Sequence, residues 1–183
     1  MSKKYELIAT KETDFMGRPL FRVKALVAFS IVSKGEKGGL IGSEENLSQD
    51  GDAWVYGTAR VSGNAQVFGN ARVFGDAWVY GNARVFGNAW VYGNARVYGN
   101  ARVYGNARVF GNARVSGTAQ VYGTAWVYGD AWVYGGYAFA YKRDKWNVTE
   151  VDMGDGGKLL VKDYVTEPQH VHAFKCDCGE VHS

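Results

Sequence analysis

The chain has 183 residues and a formal net charge of +3, a modest excess that is unevenly placed, because the repetitive centre carries seven Arg against three Asp. No segment approaches the ~20 apolar residues of a membrane span, and the opening stretch MSKKYELIATKETDF lacks the apolar core of a signal peptide. The two cysteines, Cys176 and Cys178, make no disulfide framework, so the expected setting is the cytoplasm, without a membrane.

In chain order, Tyr5 to Thr10 and Phe21 to Phe29 alternate or run apolar and are expected as strands. They fall in residues 1–50, read as a small β cap that closes one end of the repetitive centre. Ile41 and Leu47 sit at six-residue steps before Ala53, which predicts that both take the inward Ala position of a preceding turn.

From Gly51 to Tyr134 the sequence is fourteen uninterrupted copies of one hexad: Gly, Asn/Asp/Thr, Ala, Arg/Trp/Gln, Val, Tyr/Phe/Ser, with Gly, Ala and Val invariant. In an extended segment alternate side chains point to opposite faces, so Ala and Val point inward and the residue between them outward. Gly followed by Asn or Asp is turn chemistry. One hexad buries almost nothing alone, so the units must stack, each strand bonded to its equivalent one coil away at ~4.8 Å. A helical reading fails on the recurrent Gly and on the apolar period. The fold class is therefore all-β, a single-stranded parallel β-helix over residues 51–136, with three hexads per coil and small β caps at both ends.

Three hexads per coil place residues eighteen apart above one another. One outward face reads Trp54, Arg72, Trp90, Arg108, Trp126; a second Arg60, Trp78, Arg96, Arg114, Trp132; the third Gln66, Arg84, Arg102, Gln120. Guanidinium and indole attract within ~6 Å, worth about 0.5–1 kcal/mol at exposed sites, so the first two faces are either stabilising ladders or candidate binding surfaces. The corner column Thr58, Asp76, Asn94, Asn112, Asp130 is expected to form stacked amide and carboxylate hydrogen bonds. It lacks the Thr ladders of an ice-binding surface.

After Tyr134, Gly135-Gly136 breaks the pattern and Tyr137 stands where the inward Ala is due. Strands are expected at 137–142, 146–151 and 158–165, a small meander over residues 137–166. The segment 167–183 reads as an irregular tail carrying His170, His172, Cys176, Cys178 and His182, spaced H-x-H-x3-C-x-C-x3-H, a candidate structural zinc site with no standard finger spacing.

These residues resemble the hexapeptide-repeat proteins, whose left-handed β-helix recurs in acyltransferases and γ-class carbonic anhydrases. Upstream, Gly38-Gly39, Ser43-Glu44, Asn46-Leu47-Ser48-Gln49 and Ala53-Trp54-Val55-Tyr56 resemble the lead-in segment of the YdcK-like proteins of enterobacteria and bacteriophages. The resemblance implies left-handedness, a bacteriophage setting in a host cytoplasm, and a homotrimer. It also implies acyltransferase chemistry, against which the repeats hold no His, Cys, Lys or Glu, so no catalytic residue is assigned. The reading is a non-enzymatic viral scaffold or ligand-binding protein whose partners are a host protein or a nucleotide-like small molecule, with nucleic acid as a weaker candidate. A sponge for a nucleotide signal and an acyltransferase-like enzyme are the alternatives.

Overall fold

The computed structural model describes residues 3–135 and, by backbone alone, three later strands at Tyr137–Ala140, Lys145–Asp152 and Lys158–Lys162. Each hexad forms a two- to four-residue strand that begins at its Arg/Trp/Gln–Val pair and, up to the strand of Arg114, lies parallel to the strand eighteen residues on. Side 1 stacks the strands of Trp54, Arg72, Trp90, Arg108 and Trp126 in register. Side 2 stacks those of Arg60, Trp78, Arg96, Arg114 and Trp132, and side 3 those of Gln66, Arg84, Arg102 and Gln120. The all-β parallel solenoid expected from the hexads is the fold observed.

Every hexad Ala and Val is buried, forming one continuous apolar column. Three amides per hexad donate to the next coil, as where Trp90, Tyr92 and Asn94 donate to the carbonyls of Ala107, Val109 and Gly111 at 2.9, 2.9 and 2.8 Å. The corners turn through glycine: Gly93 has φ +69°, and a Cβ there would lie 3.0 Å from the Gly111 nitrogen. Only a residue without Cβ adopts that backbone at so close an approach. Beside the glycines, Asn side chains form ladders, Asn64 to Asn82 to Asn100 and Asn70 to Asn88 to Asn106, at 3.1–3.3 Å. In the third corner Thr58 donates to Asp76, and Asn94 to Asn112 to Asp130. An ionised carboxylate accepts but does not donate, so each run ends at its Asp.

Upstream lie β1 (Tyr5–Thr13), β2 (Pro19–Ala25) and β3 (Lys37–Ile41). β1 and β2 are antiparallel, as are β2 and β3, and β3 then runs parallel to Arg60–Val61, making the hairpin continuous with side 2. β1 is longer than expected and β2 stops at Ala25, because residues 26–34 leave the sheet through a Phe29–Val32 bridge and a left-handed turn at Ser30, φ 46°. Ile41 and Leu47 do not take the Ala position. They lie opposite Val61 and Val67, an offset of twenty, because eight residues rather than six separate Leu47 from Val55. At the far end Tyr137 pairs with Gln120 and Ala138 with Val121, an offset of seventeen, so Tyr137 takes the register position of the outward column rather than that of the inward Ala.

Three polar residues tie the upstream segment to the first coil. Asn46, fully buried, accepts from the amides of Gly42 and Ser43 at 2.9 Å and donates to the carbonyls of Gly63 and Ala65 at 2.8 Å. The Gln49 carbonyl oxygen accepts from the amides of Lys4 and Tyr5. The Lys4 ammonium donates to the carbonyls of Gly51 and Ala53, both at 3.1 Å, and lies 5.0 Å from the Phe29 ring centre. Gly38 and Gly39 are what allow β3 to cross this closely: a Cβ on Gly39 would stand 2.5 Å from a Val55 methyl.

Two measurements check this join. Asn46→Asp replaces two donors with a carboxylate facing two carbonyls, and should destabilise the fold by about 2–4 kcal/mol in urea unfolding. Burial pushes the Lys4 ammonium down to about 8, against the pull of Asp52 and Asp50. Between that value and the ordinary 10.5 the unfolded chain binds more protons than the folded one. Stability should therefore rise with pH across that window, and Lys4→Met should flatten the rise.

Candidate binding surface

The hexad's outward residue and the aromatic two positions later stand side by side on each face. On side 1 Trp90 lies between two guanidiniums, Arg72 at 5.5 Å and Arg108 at 4.7 Å, and Arg108 also reaches Trp126 at 5.1 Å. On side 2 Trp78 lies between Arg60 at 5.1 Å and Arg96 at 5.6 Å, and Arg114 approaches Trp132 at 5.9 Å. The eighteen-residue columns thus bring nine of the ten candidate residues into guanidinium–indole contact, alternating on side 1 and in two separate groups on side 2.

Trp54 is the exception. It sits in the outward column but is fully buried, with Tyr5 at 6.1 Å and Phe29 at 5.3 Å, both edge-on, and Gly38 against its ring. The expectation that it helps form an exposed ladder is corrected: it fills the seam where the upstream segment crosses side 1. Its Nε1 has no hydrogen-bond partner among the described residues.

The aromatic columns are a feature that reading the Trp/Arg position alone passes over. Phe74, Tyr92, Phe110 and Tyr128 stack on side 1 with centroids 4.7–5.1 Å apart and planes within 7°. Phe68, Phe86, Tyr104 and Tyr122 do the same on side 3 at 4.8–5.1 Å, and Tyr80 and Tyr98 stack at 4.9 Å on side 2. Counting by eighteen from the hexad's last residue finds all of these. Burial pushes the Tyr80 and Tyr92 hydroxyls up, with nearby arginines opposing the shift. Because each ring shields the next, Trp78, Trp90 and Trp126 are half-buried, and among the repeat aromatics only Trp132 and Tyr134 are exposed, at 40% and 50%.

The three sides are covered unequally. On side 1 Phe29 packs on Trp54, and Ser30 accepts from Arg72 at 3.3 Å. Asp14 caps the β1–β2 turn: burial favours its neutral form, but the Arg18 guanidinium and the amides of Arg18 and Met16 hold its carboxyl below the ordinary range. That turn sets Phe15 edge-on to Tyr80 at 4.9 Å, while Glu12 pairs with Arg60 at 3.0 Å on side 2. These ring contacts, the ion pair and the Arg72 hydrogen bond of the upstream segment fall on sides 1 and 2. His170, His172, Cys176, Cys178 and His182 lie outside the described residues. No helix among the described residues is long and apolar enough to cross a membrane.

The sequence pattern of the YdcK β-solenoid repeat matches residues 65–81, 77–93, 89–103, 95–109 and 101–117, all inside the hexad block. This central stretch is therefore similar to a known β-solenoid repeat, in agreement with the coil geometry. No curated protein matches the chain.

The ladder should carry measurable energy. A double-mutant cycle of Trp90→Leu with Arg108→Met should return a coupling of about 0.5–1 kcal/mol in chemical unfolding.

Proposed function

We propose that this β-solenoid is a non-catalytic binding or scaffold protein, a homotrimer whose subunits meet through the upper part of side 1. The carrying observation is the continuous surface made by Trp90, Arg108 and Trp126 beside the Phe74–Tyr92–Phe110–Tyr128 stack, over which no described segment of the chain is laid. Aromatic and Arg groups are the side chains enriched where protein surfaces meet, and closed symmetric assemblies are the common outcome of such surfaces. The hexads contain no His, Cys, Lys or Glu, which weighs against acyl transfer on the solenoid itself. The bacteriophage setting and host-cytoplasm location are part of this proposal and rest on the resemblance of the lead-in segment.

A sponge that stacks nucleotide bases is less well supported. Trp78 and Trp90 each have a guanidinium on both sides, and the inner rings of the stacks have a parallel ring on both sides. A base would have to displace a partner already in place.

Native mass spectrometry of the purified full chain tests the proposal. A trimer without a nucleotide-sized added mass is expected, and Arg108→Glu with Trp126→Ser should yield monomers of unchanged circular dichroism. A wild-type monomer, or a trimer indifferent to both substitutions, contradicts it.

A further inference from the structure

Seven arginines project from the hexads, and five of them are engaged. Arg60 holds Trp78 and Glu12, Arg72 holds Trp90 and Ser30, Arg96 lies on Trp78, Arg108 on Trp90 and Trp126, and Arg114 on Trp132. The remaining two, Arg84 and Arg102, are exposed and have no acidic, aromatic or hydrogen-bond partner among the described residues. They are also next to each other: the register of side 3 sets Arg84 opposite Arg102, one coil apart at ~4.8 Å. Like charges directly opposite on neighbouring strands destabilise a sheet. On side 2 Arg96 and Arg114 are also in register, but each lies on a Trp; Arg84 and Arg102 have no indole, and Gln66 and Gln120 continue the column at its two ends.

The ring stack beside them limits what else this side can take. In the Phe68–Phe86–Tyr104–Tyr122 stack the inner rings are flanked on both faces by other rings, and the Tyr104 hydroxyl donates to Gln120 at 3.2 Å. Side 3 therefore offers two exposed guanidiniums in register, set between Gln66 and Gln120, beside rings whose inner faces are already taken.

We infer that side 3 is a docking strip for an extended acidic peptide segment, with Arg84 and Arg102 each taking one carboxylate. Alternate residues of an extended chain present side chains on one face ~6.7 Å apart, within reach of two guanidiniums that repulsion drives apart from a ~4.8 Å register. A guanidinium forks onto a carboxylate through two hydrogen bonds, which needs no free ring face. Nucleic acid and sugars draw on ring faces, which this stack has already used. The inference goes beyond the trimer reading and does not depend on which face the subunits share.

The test is fluorescence anisotropy of the full-length protein with a labelled peptide of alternating Glu and Ser, its Gln-for-Glu counterpart, and an oligothymidylate. The Glu peptide is expected to bind at low salt and weaken as salt rises, and the Gln peptide to fail. The Arg84→Gln/Arg102→Gln double variant, which keeps the residue type already present at Gln66 and Gln120, should lose about tenfold in affinity. It should also unfold at a higher temperature than wild type, since the repulsion is relieved. Lys11→Gln/Lys34→Gln, which removes the same net charge elsewhere, should bind as wild type. Peptide binding that is absent, or is unchanged in the Arg double variant, overturns the inference. So does oligothymidylate binding more tightly than the peptide through the same two arginines, which would make the strip a phosphate surface. None of these outcomes bears on subunit number, so the trimer proposal stands or falls separately.

Discussion

The structure depends on how closely one coil can approach the next at its corners. At Gly93 the backbone is left-handed, φ +69°, and the next coil's Gly111 nitrogen lies 3.0 Å from where a side chain would begin. That approach sets the interval at which the Ala and Val column packs without gaps and at which amides reach the carbonyls of the coil above, 2.8–2.9 Å in the Trp90 hexad. It also sets the spacing of everything outside. Rings stack at 4.7–5.1 Å because their backbones recur at that interval, and guanidiniums meet indoles because Arg and Trp alternate at it. The surface chemistry is thus a product of the backbone period.

One consequence is that most of the aromatic surface is already used. A lone outward Trp offers two faces to a ligand; in register between two arginines it offers an edge. What the solenoid presents is edges, guanidinium forks and amides, a surface suited to protein neighbours and carboxylates more than to bases. The sides also differ in kind. Side 1 alternates Arg with Trp, side 2 sets Arg96 beside Arg114 but gives each a Trp, and both are partly overlaid by the hairpin and the loop between β2 and β3, while side 3 keeps two arginines with no acidic or aromatic partner among the described residues.

How much of this was legible depends on where the constraint comes from. The invariant Gly, Ala and Val fix the solenoid, and counting by eighteen fixes the outward columns, so the Trp78, Trp90 and Trp126 contacts could be read directly. The fate of Trp54 could not, because Tyr5 and Phe29 reach it from distant sequence that carries no hexad pattern. The same is true of Asn46, Gln49 and Lys4, whose partners include backbone groups distant in sequence. Ile41 and Leu47 misled because six-residue spacing held up to Leu47 and then failed by two residues before Val55. A faint signal did exist. Ser62 replaces the outward aromatic where Gly42 of the upstream segment lies against it, and Ser116 does so where its hydroxyl accepts from Trp132 of the next coil at 3.2 Å.

The central claim is that inter-coil approach at the glycine corners holds the columns in register, and two glycines separate it from backbone strain alone. Gly57 and Gly93 are both left-handed, φ +56° and +69°, but a Cβ on Gly57 meets nothing within 4 Å. Each Ala substitution incurs the left-handed strain of about 1–2 kcal/mol, and only Gly93→Ala adds the clash with the next coil, roughly another 1–3 kcal/mol. Equilibrium urea unfolding of the two variants is the direct measurement. The account predicts a clearly lower midpoint for Gly93→Ala than for Gly57→Ala; equal midpoints would contradict it.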